Sequence, residues 1–194
     1  KPIDAFRRVI APNGEKILLH ASNFREVKRV DDVIKVFAQV RKKITAKLMM
    51  VGDGPERHMA EELARKLGVD EDVRFVGKQE QMEEILAVSD LFLLPSEYES
   101  FGLAALEAMA AGEVVISTNV GGLPEIVQHN ITGFMANVGD VDTMSNYAIG
   151  ILQDEQKLQA MKEAAFLHAS NFDITNIIPL YEKLYSRFCR LTIA

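Results

Sequence analysis

Two carboxylates eight positions apart, Glu99 and Glu107, bracket the turn Ser100-Phe101-Gly102 and form the most specific chemical pattern in the chain. Glu99 falls in a loop after the apolar run Leu91–Leu94, and Glu107 falls on the helical stretch that follows. With a rise of about 1.5 Å per residue, the second carboxylate stands roughly two turns along that helix. Carboxylates so placed accept hydrogen bonds from hydroxyl pairs at two separate points of one extended ligand. Between them, the backbone N–H groups of Phe101, Gly102 and Leu103 open a helix without intrahelical partners, which makes an anion site. Gly102 lets an anion approach the main chain closely. On its own, a pair of acids at this spacing is common on a solvated helix face, so the pattern gains meaning only from its surroundings.

Positive charge to match an anion comes from the loop Ser22–Arg29, where Arg25, Lys28 and Arg29 cluster just past a strand-like run. Asn23 opens that loop as a further polar group. Gly52 and Gly77 close two other apolar runs and would let backbone line a pocket, with Lys78 and Gln79 next to the second. Three weaker signals carry less. Asp140-Val-Asp142 has a metal-binding form but precedes a helix, where a capping role is expected. The histidines at 20, 58, 129 and 168 show no metal-ligand spacing, so no metal site is expected. Gly52-Asp53-Gly54 lacks the rest of a dinucleotide fingerprint.

These residues are positioned by alternating short apolar runs and amphipathic stretches, the pattern of β-α units on a parallel sheet. Strands are expected at Lys16–Ala21, Lys47–Val51, Val73–Val76, Asp90–Pro95, Val114–Ser117 and Gly133–Ala136. Helices are expected at Val30–Lys43, from Glu56 with Met59, Leu63 and Leu67 on its apolar face, at Met82–Val88, at Phe101–Ala111 and at Glu125–His129. Gly112 is placed to end the fourth of these. From Asp142 the pattern is helical, with breaks near Asp154 and Asn171–Phe172, and the last helix carries Ile177, Leu180, Tyr181, Leu184, Tyr185 and Phe188 on a wide apolar face. The fold class is thus α/β: one Rossmann-like, doubly wound parallel sheet of about six strands across residues 1–194. Its ligand is expected at the carboxyl ends of the strands.

Bulk properties set limits. The chain has 194 residues, 48% hydrophobic and 26% charged, as a soluble globular domain does. A net charge of −6 argues against a general nucleic-acid binder. One cysteine, Cys189, excludes an internal disulfide. No apolar run approaches the roughly 18 residues of a membrane span. Because the chain starts at Lys1-Pro2 without a signal peptide, a fragment of a longer, cytoplasmic protein is expected.

The stretches Pro95–Leu103 (PSEYESFGL) and Leu106–Ala110 (LEAMA) resemble the signature of retaining GT-B glycosyltransferases of group 1, the GT4-like class. The resemblance extends through Asn23–Arg29, Val51–Glu56 (VGDGPE), Phe75–Gly77, Ser89-Asp90 and Gly121–Glu125 (GGLPE), in family order over about 120 residues. It implies that Glu107 binds the donor's ribose hydroxyls, Glu99 the donor sugar, the Phe101–Leu103 amides the distal phosphate and Lys28 the pyrophosphate. The family usually has an arginine where this chain has Asn23, and Arg25 is a candidate replacement in a different register. Lys78 and Gln79 stand where the family reads the uracil ring. The stretch His20–Val33 (HASNFREVKRVDDV) is similar to one branch in particular, whose enzymes move GlcNAc from UDP-GlcNAc to L-malate in bacillithiol biosynthesis. Gly112-Glu113-Val114 departs from the family's usual Gly-Val-Pro, a change expected to affect stability. The resemblance covers only a C-terminal, donor-binding half. It implies a UDP-sugar as substrate, no metal or pyridoxal phosphate, and a small-molecule acceptor held by an absent N-terminal domain. The final helices, about 155–190, are candidates to pack on that domain. Oligomeric state stays open, a homo-oligomer of the intact enzyme included. A non-catalytic nucleotide-sugar module, another group 1 transferase, and a UDP-sugar epimerase or phosphorylase of the same architecture are the alternatives.

Overall fold

The computed structural model describes residues 2–191, with side chains from 5 to 188. Residues 1 and 192–194, and the side chain of Cys189, lie outside the described residues. Apolar runs form six strands: β1 (Lys16–Ser22), β2 (Ala46–Gly52), β3 (Val73–Gly77), β4 (Leu91–Leu94), β5 (Val114–Thr118) and β6 (Gly133–Ala136). All pair in parallel, in the order β3-β2-β1-β4-β5-β6. Leu18 lies opposite Leu91 and Leu19 opposite Phe92, so β1 and β4 form the centre of the sheet. Strands covered on both faces are apolar throughout, because alternate side chains both meet protein. Leu18, Leu48, Leu91 and Val114 enter one core layer, while Ile17, Met49, Phe92 and Val115 enter the other.

The helices are α1 (Pro2–Ile10), α2 (Val30–Arg41), α3 (Arg57–Leu67), α4 (Met82–Leu86), α5 (Leu103–Ala110), α6 (Leu123–Ile126), α7 (Val141–Leu152), α8 (Glu155–Ala169) and α9 (Ile174–Leu191). Helices α2, α3 and α7 cover the first layer, whereas α4, α5 and α6 cover the second, and α8 contributes to both. Asp140 caps α7 by accepting from Thr143 N at 3.0 Å, and Asp154 caps α8 through Lys157 N, also at 3.0 Å. Asp140 of the Asp-x-Asp pair therefore has the expected capping role, while Asp142 accepts from Gln39.

Several expectations need correction. The face of α3 is shifted from the expected one: Leu63 packs on the core as expected, but Met59 and Leu67 are exposed and Ala60 and Ala64 are buried in their place. Small residues win there because they let the helix axis approach α2 and the sheet. Helix α5 starts at Leu103 rather than Phe101, since Gly102 is left-handed (φ 93°) and cannot continue a helix backward. Glu107 thus sits about one turn into the helix, not two. Helix α6 starts two residues early and is a single turn, with Pro124 in its first turn. Helix α1 has no counterpart in the sequence reading; Arg7 ties it to Asp90 at 2.7 Å and to the Val88 carbonyl. Breaks at Asp154 and Ser170–Phe172 are where the pattern put them, and α9 exposes Ile178, Tyr181, Leu184, Tyr185 and Phe188 to solvent.

The turn after α5 places one ionisable group in an unusual setting. Gly112 N donates to Met109 O and Glu113 N to Ala108 O, both at 2.9 Å, the paired bonds of a Schellman motif. That motif turns the residue after its glycine inward, a position usually filled by an apolar side chain. Here it is Glu113, which is fully buried, with neither carboxyl oxygen hydrogen-bonded. Desolvation pushes its pKa well above the ordinary value of 4.5, against the pull of Lys162, while Asp90 adds to the rise. The folded state therefore keeps a proton that the unfolded chain releases above 4.5, so stability falls as pH rises from there through the folded value. Glu113→Met, which keeps volume and removes the carboxyl, is expected to stabilise the protein by about 1–3 kcal/mol near neutral pH. Thermal unfolding between about pH 5 and about pH 8 checks this: the gain should grow with pH.

Candidate functional site

The chain leaves β1 toward α2 on one face and leaves β4 toward α5 on the other, so a crevice opens beyond Ser22 and Leu94. Its first wall is the loop 23–29. Within it, Phe24 is left-handed (φ 38°) yet fully buried, stacked on His20 at 6.1 Å and edge-on to Phe75 at 6.4 Å. His20 Nδ1 lies 2.8 Å from the Leu93 carbonyl, which can only accept, so this nitrogen carries the proton. Nε2 then accepts from Ser22 Oγ at 2.8 Å, and Ser22 Oγ accepts from Phe24 N at 3.2 Å. One neutral imidazole thereby joins β1 to β4 and holds the start of the loop.

The loop after β2 supports this wall by backbone contact. A Cβ on Gly52 would lie 1.8 Å from Ser22 O, and one on Gly54 2.1 Å from Asn23 O. Any side chain at either position would push the loop out. These glycines serve loop-to-loop contact, and Gly52 lines none of the cavities described here.

The second wall is the loop from Pro95 to Gly102. Glu97 N donates to Val27 O at 2.8 Å, which joins the walls. Across the crevice Lys28 Nζ meets Glu99 Oε1 at 2.5 Å, with the side chains 21% and 13% exposed. Ser96 Oγ donates to the same oxygen at 2.9 Å. The Glu99 backbone is held from behind: Gly122 N donates to its carbonyl at 3.2 Å, and a Cβ on Gly121 would lie 1.6 Å from that oxygen. The result is a carboxylate and an ammonium fixed side by side with little room to move.

They line a cavity of about 330 Å³ together with Asn23, Phe101, Gly102 and Leu103. Six of the sequence-predicted residues are thus brought together, and both charged ones are in contact. Glu107 is not among them. It is exposed one turn further along α5 and lines a separate cavity of about 620 Å³ against α4, with Glu80, Glu83, Leu86 and Ala110. Arg25 is exposed and outside the cavity, as is Lys78, and Gly77 ends β3 away from both. Arg29 is turned aside by a 2.6 Å bond to Asp32, which also raises its pKa. Of the three cations in the 23–29 loop, Lys28 alone lines the cavity. Sequence reasoning missed Ser96 and His20. The only signal for Ser96 is a serine at the mouth of a buried strand, three residues before Glu99. Among the described residues no group of three or more His, Cys, Asp or Glu is arranged to hold a metal, and no helix is long and apolar enough to cross a membrane.

This six-stranded parallel sheet with flanking helices is a Rossmann-like α/β domain of the GT-B glycosyltransferase architecture. Anabaena Alr3699/HepE in complex with UDP superposes with a TM-score of 0.87 at 26% identity, over 95% of this chain and 52% of that one. Staphylococcus aureus TarM matches in fold with a TM-score of 0.82 at 21% identity, over 88% of this chain and 35% of that one. Residues 3–168 match the glycosyl transferases group 1 family, and the chain belongs to it. The N-acetyl-alpha-D-glucosaminyl L-malate synthase of Bacillus anthracis is 47% identical over 173 residues, 89% of this chain and 45% of the relative. A D-inositol 3-phosphate glycosyltransferase of Nocardia farcinica is 31% identical, over 84% of this chain and 38% of the relative. The chain spans about half the length of the curated relatives it matches, or less.

The buried imidazole supplies a pH test of the first wall. Desolvation lowers the His20 pKa from 6.5 to about 4, with the Leu93 carbonyl opposing and Lys28 adding to the fall. Below 6.5 the unfolded chain takes up a proton that the folded state refuses, so stability drops as pH falls toward about 4 and this contribution then levels off. The expected loss is on the order of 3 kcal/mol. Ring nitrogen shifts followed by NMR should show Nδ1 protonated and a midpoint near 4; a midpoint above 6.5 would contradict the packing.

Proposed function

We propose that this chain is the donor-binding half of a retaining group 1 glycosyltransferase, moving GlcNAc from UDP-GlcNAc to the hydroxyl of L-malate. The observation that carries the reading is the Lys28–Glu99 pair beside the free amides at the start of α5. An ammonium has three donors, and Glu99 uses one, so two remain for phosphate oxygens. The amides of Phe101–Leu103 at the opening of the helix suit the distal phosphate. Glu99 then meets hydroxyls of the sugar, and Glu107, one turn along the same helix, meets those of the ribose. The solved relatives in complex with UDP and UDP-glucose support a uridine donor. The Bacillus anthracis relative supports the choice of GlcNAc and malate.

In the proposed step the acceptor hydroxyl enters on the face from which UDP departs, and the configuration at the anomeric carbon is kept. Negative charge builds on the leaving diphosphate. Lys28 and the helix amides lie where they stabilise that charge most in the transition state. Arg25, outside the cavity, would have to swing inward to share this work, so Lys28 is assigned the main part. Glu99 positions the sugar rather than attacking it. Stabilisation of the diphosphate is assigned to Lys28 and the helix amides, and the UDP-sugar enters as a substrate. The acceptor is assigned to the half of the protein beyond this chain, which would also cover the exposed apolar face of α9.

Calorimetric titration with UDP, UDP-GlcNAc, UDP-glucose and GDP-mannose should give binding of the uridine ligands and a preference for UDP-GlcNAc. In the intact enzyme Lys28→Ala should lower kcat/KM about a hundredfold, near 3 kcal/mol in the barrier. Glu99→Gln should lower kcat for the same donor. Full activity in both variants, or no binding of any uridine ligand, would rule the assignment out.

A further inference from the structure

Ser96 is fully buried at the carboxyl end of β4, and its hydroxyl donates to Glu99 Oε1 at 2.9 Å. Its carbonyl in turn accepts from the Thr118 hydroxyl at 2.5 Å, so Ser96 is itself fixed from the end of β5. Lys28 reaches the same Oε1. Two donors converging on one oxygen leave Oε2 as the oxygen that meets a ligand in the cavity Glu99 lines. Rotation of the carboxylate would break both bonds at once. The two anchors are not equivalent. Lys28 is a cation: its two spare donors face a diphosphate in the cavity, and the charge of that group draws the ammonium away from Glu99. Ser96 is neutral and enclosed, so an incoming anion has no comparable claim on it.

We infer that Ser96 is a positioning residue: its hydroxyl keeps Glu99 Oε1 anchored while Lys28 engages the diphosphate, so that Oε2 alone accepts a hydroxyl of the donor sugar. This rests on the UDP-sugar reading of the site. The consequence is specific to the sugar. Losing the Ser96 hydroxyl leaves the uridine and phosphate contacts in place and loosens only the group that reads the sugar.

The test is calorimetric titration of the protein and its variants with UDP and with UDP-GlcNAc. Ser96→Ala should bind UDP within about twofold of the unsubstituted protein and UDP-GlcNAc about fivefold or more weakly, the effect of one hydrogen bond. Ser96→Thr, which keeps the hydroxyl, should retain the preference for the sugar. Ser96→Cys, which keeps the shape but donates weakly, should lose it, and serves if the alanine variant does not fold. On a Glu99→Ala background, which removes the acceptor, Ser96→Ala should cost nothing further. Equal weakening toward both ligands, or a penalty that persists without Glu99, overturns the positioning role while the site reading stands. Failure of the unsubstituted protein to bind UDP overturns the site reading, and the role of Ser96 with it.

Discussion

In a parallel sheet ordered β3-β2-β1-β4-β5-β6, the two central neighbours send their connections to opposite faces. No loop can then close over the gap between them, and the carboxyl ends of β1 and β4 stay open. The Lys28–Glu99 pair and the cavity it lines sit on the two loops that border that gap. The cost of the arrangement is that neither loop is paired into the sheet along its length, so its shape rests on individual contacts. The protein meets this with short-range fixings: the His20–Ser22–Phe24 relay on one side, the Glu99 backbone held by Gly121 and Gly122 on the other, and the Glu97–Val27 bond between them.

The Lys28–Glu99 contact takes its character from that frame. Its groups are mostly but not wholly buried, so truncating either leaves the other poorly solvated. The pair is therefore better understood as mutual storage than as a source of stability. Each charge keeps the other oriented while the cavity is empty, and each retains hydrogen-bonding capacity to spare. Preorganisation of this kind matters because groups already in place need not reorganise as charge develops.

Much of this was legible in the sequence, for identifiable reasons. Strands buried on both faces leave continuous apolar runs, and all six strands are where those runs stand. The group 1 signature, read in order, brought Lys28, Glu99 and the Phe101–Leu103 turn to one place. What escaped was decided by neighbours distant in sequence. Helix α3 buries its alanines because close approach to α2 outweighs the hydrophobicity of Met59 and Leu67. Arg25 and Arg29 look equivalent to Lys28 in a string of letters, but a left-handed turn and Asp32 take Arg29 out of the cavity. Glu113 is buried because a backbone motif dictates the direction of its side chain before its chemistry is consulted. The separation of Glu107 from the Glu99 cavity follows from where α5 begins, which is fixed by the conformation of Gly102 and not by its composition.

The glycines at 52, 54 and 121 also bear on how this domain can be altered. At each, a carbonyl of one loop occupies the space where a side chain of another would stand. Loops in such contact are a matched set, like adjoining stones cut to one joint. Transplanting the 23–29 segment from a relative, to change what the crevice accepts, would carry over its intended shape only if the segment around Gly52 and Gly54 were moved with it. The unit of exchange in redesigning this crevice is the pair of loops and the seam between them, and a single loop is too small a piece.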